Sequence, residues 1–180
     1  MRMHVKAKKI ALAGLIVAFS AVMVILSSIV ETSSLFFIAA SSFCVGIAIR
    51  EWGVNLGVGF LVASSLVNFL VAPNKFYCFT FVAMGTYILA REWLWEKIAA
   101  KENTKNRNLM LWIGKFAIFN CIYIPSIVFF QEMIFDKLFS NIGLMIVFLA
   151  GQVALFVFDK AYLYFQEFIW GKLREKLAMR

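Results

Sequence analysis

Histidine occurs once in this chain, at position 4 in a basic leading segment, and that scarcity removes whole classes of chemistry. A histidine-centred metal site, a Ser-His-Asp triad and a Cys-His pair all lack their imidazole. Only three cysteines are present, Cys44, Cys78 and Cys121, each alone in an apolar stretch with no Cys-x-x-Cys pair. They are expected to be small packing residues rather than ligands or redox partners. No Walker-type or dinucleotide glycine pattern occurs, so the chain is not expected to hydrolyse ATP itself. Charge is sparse as well, at 16% of residues against roughly 25% in a soluble domain. The expectation is a protein that is not an enzyme, with no cofactor and no metal.

What fills the space is apolar. Of 180 residues 63% are hydrophobic, where a soluble domain carries roughly 45–50%. The apolar residues fall into six stretches separated by short charged clusters, which predicts an all-α, polytopic integral membrane protein of one six-helix domain over residues 1–180. The spans are expected at residues 10–30, 35–49, 54–72, 76–90, 109–130 and 138–158. The first opens as a signal peptide would, basic and then apolar, but its apolar region is longer and five more follow, so it is kept as a helix. The second and fourth are short. Fifteen residues rise only about 22 Å, so the second must borrow Ser33 and Ser34, thin the bilayer, or sit buried among its neighbours.

Six spans place both termini on one side, and the basic residues indicate which. With a cytoplasmic amino terminus, the inner segments carry Arg2, Lys6, Lys8, Lys9, Arg50, Arg91, Lys97, Lys101, Lys105, Arg107, Lys160, Lys172, Arg174, Lys176 and Arg180, fifteen cations in all, against Lys75 and Lys137 outside. The excess fits the positive-inside rule and places the chain as a multi-pass protein of the plasma membrane. It also accounts for the net charge of +8 without any nucleic-acid partner; the partner that this charge fits is the anionic leaflet of the bilayer. Segments 91–108 and 160–180 alternate charged with apolar and aromatic residues at helical spacing, and are expected to be amphipathic helices on the cytoplasmic surface.

Polar residues in or near the spans are the remaining candidates, because each carries a desolvation cost unless it has a partner or faces water. Toward the outer face lie Glu31, Asn68, Asn74, Lys75, Tyr77, Gln131, Glu132 and Asn141. Together they either line an outward-opening pocket for a small hydrophilic molecule or are solvated loop residues. Asn68 stands out, about one turn below the end of its helix and on the face of Ser64 and Ser65. In the inner half, Lys115 and Asp159 either form an ion pair or leave Lys115 to snorkel toward the headgroups. Pro125 is expected to kink the fifth helix by freeing the carbonyl of Cys121. Gly14 and Ala18 make a small-x-x-x-small pair on the first helix, and Gly57 and Gly59 a second small patch. Such pairs serve internal packing or contact with another protein.

The basic start running into a small-residue first helix, Lys8-Lys9-Ile10-Ala11-Leu12-Ala13-Gly14-Leu15-Ile16-Val17-Ala18, in a six-span chain of this length resembles the substrate-binding S components of energy-coupling-factor (ECF) transporters. The resemblance implies capture of a small vitamin-like nutrient from outside, and docking of the first helix on a transmembrane coupling subunit that is driven by separate ATPases. It implies that Gly14 and Ala18 are the docking pair, with Gly14 where that family commonly has Ala. The histidine-bearing leading segment of the metal-specific branch is missing. The alternative is a non-catalytic membrane scaffold such as an MreD-like cell-shape protein, which has the same span count and acts through helix contacts.

Overall fold

The computed structural model describes residues 2–99, 106–135 and 141–176, with side chains over 9–99, 106–128 and 143–174. Among these residues there is no strand. The helices are α1 (Arg2–Ile29), α2 (Ser34–Trp52), α3 (Val54–Val71), α4 (Lys75–Ala99), α5 (Arg107–Phe135), α6 (Asn141–Tyr164) and α7 (Gly171–Lys176). A single 3-10 turn, Glu31–Ser33, precedes α2, and a π-helical stretch, Phe165–Trp170, carries α6 into α7. Five segments are long and apolar enough to cross a membrane: Lys9–Ile29, Glu31–Trp52, Val54–Val71, Arg107–Val128 and Gly143–Arg174. The protein is therefore an all-helical, multi-pass membrane protein. Helix α4 is not among the five because its uncharged run stops at Ala90.

Several helices outlast the apolar runs from which they were inferred. Leaving hydrocarbon does not end a helix; a break in backbone conformation does. Residues 91–99 contain neither Gly nor Pro, and Glu, Leu, Lys and Ala are good helix formers, so α4 runs on to Ala99. The expected surface segment 91–108 is thus partly a continuation of α4, and residues 100–105 lie outside the described part. The tail likewise continues α6 as helix to Lys176. Real breaks have local causes. Gly53, between α2 and α3, has φ +87°, where a side chain would cost about 1–2 kcal/mol, and its N–H still donates to the Ile49 carbonyl at 2.7 Å. Helix α3 closes with the Ala72 N–H on the Asn68 carbonyl at 2.8 Å, and Pro73 then prevents continuation.

The chain divides into two compact units, residues 1–93 and 94–180. In the first, α1, α2 and α3 pack on one another. The α1 stripe of Ile16, Ser20, Ala21, Val24 and Ser27 is buried at spacings of three and four, as a helix with one covered face requires. Helix α2 differs: nine consecutive residues, Ser41–Ile49, are buried. Two of the three ways to accommodate a short span are used: the helix takes in Ser34 at one end and runs on to Trp52 at the other, and its second half is surrounded by protein. Gly57 permits it, because any side chain there would overlap Ile49 of α2. Gly85 does the same for α4, whose backbone lies against Leu61 of α3 and Val45 of α2.

In the second unit α5 and α6 run antiparallel. Lys115 meets Asp159, Asn120 meets Gln152, and Tyr123 meets the Val147 carbonyl. This register places Arg107, the first residue of α5, level with about residue 167 of the following helix. Gly151 lets the Tyr123 ring lie on the α6 backbone, while Trp112 stacks on Phe156 at 5.7 Å.

Candidate functional site

Three polar groupings and one exposed face are the places where these helices do more than pack.

The first grouping ties α1, α2 and α3 together. Ser20, Ser41, Ser64 and Asn68 have no solvent exposure at all. Ser41 Oγ donates to the Ser20 carbonyl at 3.0 Å, so its one proton is committed. Ser20 Oγ and Ser41 Oγ are 2.7 Å apart, and the proton between them must then be that of Ser20. Ser20 Oγ is left able only to accept, which it does from Asn68 Nδ2 at 3.3 Å. That sequence of donors fixes the orientation of the Asn68 amide. Its Oδ1, and the Oγ of Ser64 one turn earlier on the same face, are buried with no partner in the chain.

The outer set expected from the sequence is dispersed by local roles. Glu31 is exposed in the 3-10 turn. Asn74 caps α4, its Oδ1 accepting the Phe76 N–H at 3.0 Å. Lys75 turns back onto the end of α3, donating to the Phe69 carbonyl and, at 3.1 Å, to that of Ala72, with its ammonium 4.8 Å from the Phe69 ring. These two residues close the α3–α4 turn. Tyr77 is half-buried. Asn68 points instead into the α1–α3 interface. Gln131 and Glu132 lie on α5 and Asn141 begins α6, but their side chains are outside the described set, as are Asp136, Lys137, Lys101 and Lys105.

The second grouping is the α5–α6 seam. Lys115 Nζ lies 2.7 Å from Asp159 Oδ2, with side-chain exposures of 11% and 0%. The ammonium also sits 4.8 Å above the Trp112 ring. Lys115 is eight residues, roughly 12 Å, past Arg107, the charge that opens α5, so the pair is formed inside the span and not at its edge. Gln152 Nε2 donates to Asn120 Oδ1 at 2.9 Å, with a weaker return bond at 3.5 Å. The Tyr123 hydroxyl donates to the Val147 carbonyl at 2.8 Å. Helix α5 continues through Pro125, and Ser126 Oγ donates to the Ile122 carbonyl at 2.7 Å.

The third grouping joins the end of α2 to α4 just beyond its apolar run. Arg91 and Glu92 are buried, at 6% and 7% exposure, where the sequence suggested a surface segment. Glu92 Oε1 lies 2.6 Å from Arg91 Nη1 and 3.5 Å from Arg50 Nη2. Mutual neutralisation is what lets these charges be covered.

The exposed face belongs to α1. Gly14 and Ala18 are exposed on the side away from Ser20 and Val24, and a side chain added at Gly14 would meet nothing within 4 Å. Within this unit the pair packs on no other helix. Gly59 also faces open space, whereas Gly57 is a true internal contact. Among the described residues no group of three His, Cys, Asp or Glu is placed to hold a metal ion.

Sequence reasoning missed the Ser20–Asn68 bond, the Asn120–Gln152 pair and the roles of Gly85 and Gly151. The only signal for the pair was two amides inside apolar runs. The chain was also compared with protein-family models, curated proteins and solved structures, and none of them matches it.

Proposed function

We propose that this chain is the membrane-embedded substrate-binding component of an ECF-type uptake transporter, taking a small vitamin-like solute from outside the cell. In this reading it sits in the plasma membrane, performs no catalysis, and docks on a coupling subunit whose ATPases supply the energy. The observation that carries the reading is the outward small face of α1. Gly14 and Ala18 form a small notch beside the exposed Leu15 and Phe19, and nothing in this unit covers them. A small-residue face allows the close helix approach that van der Waals association in lipid depends on.

Six crossings with both termini inside belong to the same proposal. The fifteen-to-two distribution of cations supports it. Helix α4 adds independent support: it starts beside the end of α3, where Lys75 caps the Phe69 and Ala72 carbonyls, and reaches the end of α2, where Glu92 meets Arg50. Helix α3 connects those same two levels. Seventeen residues from Lys75 to Glu92 rise about 26 Å, a bilayer crossing with modest thinning.

An MreD-like scaffold is favoured by one observation. Asn74 and Lys75 are occupied by helix ends rather than turned toward a solute.

The test is purification in mild detergent from cells that express the native neighbours, in wild-type and Gly14→Leu/Ala18→Leu forms. Recovery of a coupling subunit with ATPases by the wild type, lost in the variant although the variant remains folded, is the expected result. Equal recovery by both removes the docking face. Cell-wall or cytoskeletal proteins without any coupling subunit move the assignment to the scaffold.

A further inference from the structure

We infer that Asn68 and Ser64 hold one small, neutral, hydrogen-bond-donating guest inside the α1–α2–α3 packing. The guest is a hydroxyl or amide donor, supplied either by a bound water molecule or by the end of a solute. The inference stands apart from the transport reading and needs no partner protein.

Three side chains from three helices, Ser20, Ser41 and Asn68, are hydrogen-bonded here without any exposure, and Ser64, one turn before Asn68 on the same face of α3, is equally buried. The proton count given above uses every donor of Ser20 and Ser41, and directs Asn68 Nδ2 to Ser20. Asn68 Oδ1 and Ser64 Oγ remain. Neither is a surface atom that headgroups or bulk water can satisfy, and an unmet polar group in an apolar surrounding costs several kcal/mol. Ser27, Ser42 and Ser65 in the same unit avoid this cost by bonding a carbonyl of their own helix, those of Val24, Ala39 and Leu61. Ser64 and Ser28 do not, and of the two Ser64 shares a face with an amide, Asn68, whose acceptor is also unmet.

The chemistry of the guest follows from these atoms. An amide oxygen can only accept, so the guest must donate at least one proton; the Ser64 hydroxyl can then donate to it or accept from it. A carbonyl-only or ether group does not fit. The cluster is made entirely of neutral side chains, so an ion held here would be a buried charge with no counter-charge, which excludes an ammonium, a carboxylate or a metal ion. Enclosure limits the size to a water molecule or one terminal group. Bound there, the guest would brace the Asn68 amide, whose Nδ2 ties α3 to Ser20 of α1.

The test combines a structure with the sign of a stability change. Ser64→Ala is the informative variant because it cannot break the Asn68–Ser20 bond. If the hydroxyl holds a guest, its removal lowers the melting temperature of the purified protein by about 2–4 °C, the equivalent of one hydrogen bond in a chain of this size. If the hydroxyl is idle, removing a buried unpaired group leaves the protein equally stable or more so. In a high-resolution cryo-EM or crystal structure of the wild type, density is expected within hydrogen-bond distance of both Asn68 Oδ1 and Ser64 Oγ. Native mass spectrometry on the same preparation identifies the source: a releasable stoichiometric mass means a solute, and a bare protein mass means water. No density between the two atoms, or a Ser64→Ala protein at least as stable as wild type, overturns the inference.

Discussion

Removing one member of the Lys115–Asp159 pair should destabilise the protein more than removing both, and by an amount that depends on which member is left. The pair is 2.7 Å apart with Asp159 fully buried and Lys115 nearly so. Breaking a buried pair by deleting one partner costs about 3–5 kcal/mol because the other charge is left uncompensated, whereas replacing both by apolar residues of similar volume is often neutral. The two single variants should not be equal. In Asp159→Leu the lysine remains, and its four-carbon stem covers part of the roughly 12 Å to the headgroups, so some of the loss is recovered. In Lys115→Met the aspartate remains on a one-carbon stem and can reach nothing; this variant also loses the contact over Trp112. We therefore expect melting temperatures in nanodiscs, followed by intrinsic tryptophan fluorescence, to fall by roughly 10 °C or more for Lys115→Met, by less for Asp159→Leu, and by little for the double variant. Two silent single variants, or a double variant whose loss equals the sum of the singles, would refute the reasoning, since the pair would then contribute no coupling.

Two further outcomes are expected. Gly57→Ala should lower stability by about 1–3 kcal/mol, because the new methyl overlaps Ile49 beside its backbone, while Gly59→Ala, with open space above it, should be nearly neutral; thermal unfolding of both variants checks this. In a background free of Cys44, Cys78 and Cys121, Lys75→Cys should react with an impermeant maleimide in intact cells and Glu96→Cys only after permeabilisation; labelling of both from the same side would mean that α4 does not cross the membrane.

The helices were legible in the sequence because charged clusters punctuate apolar runs, and that punctuation depends only on the cost of putting charge into lipid. Helix ends were less legible, for α4 and α6 continue as helix beyond the last apolar residue, and no residue there forces a stop. Lys115 and Asp159 could be matched in advance because Lys115 is the lone charge in its run and Asp159 closes the next run on the same side. Asn120 and Gln152 could not, since their pairing needs the antiparallel register, which single helices do not encode. Ser20 is one of several serines in α1 and its partner Asn68 is 48 positions away, so nothing local distinguishes it. The outer residues were grouped by depth alone. Depth does not say which way a side chain turns, and Asn68 turns inward while Asn74 and Lys75 serve the chain's own helix ends.

The uninterrupted burial of α2 from Ser41 to Ile49 has a consequence for how the protein is made. Nine residues are two and a half turns, so at that depth the helix has no side left for lipid. Helix α2 is nevertheless apolar enough to enter the bilayer on its own, so its enclosure must follow insertion, as α1 and α3 close around it. The lipid that first surrounds Ser41–Ile49 is then displaced by helix contacts, and the assembly of this unit amounts to an exchange of lipid for protein along α2.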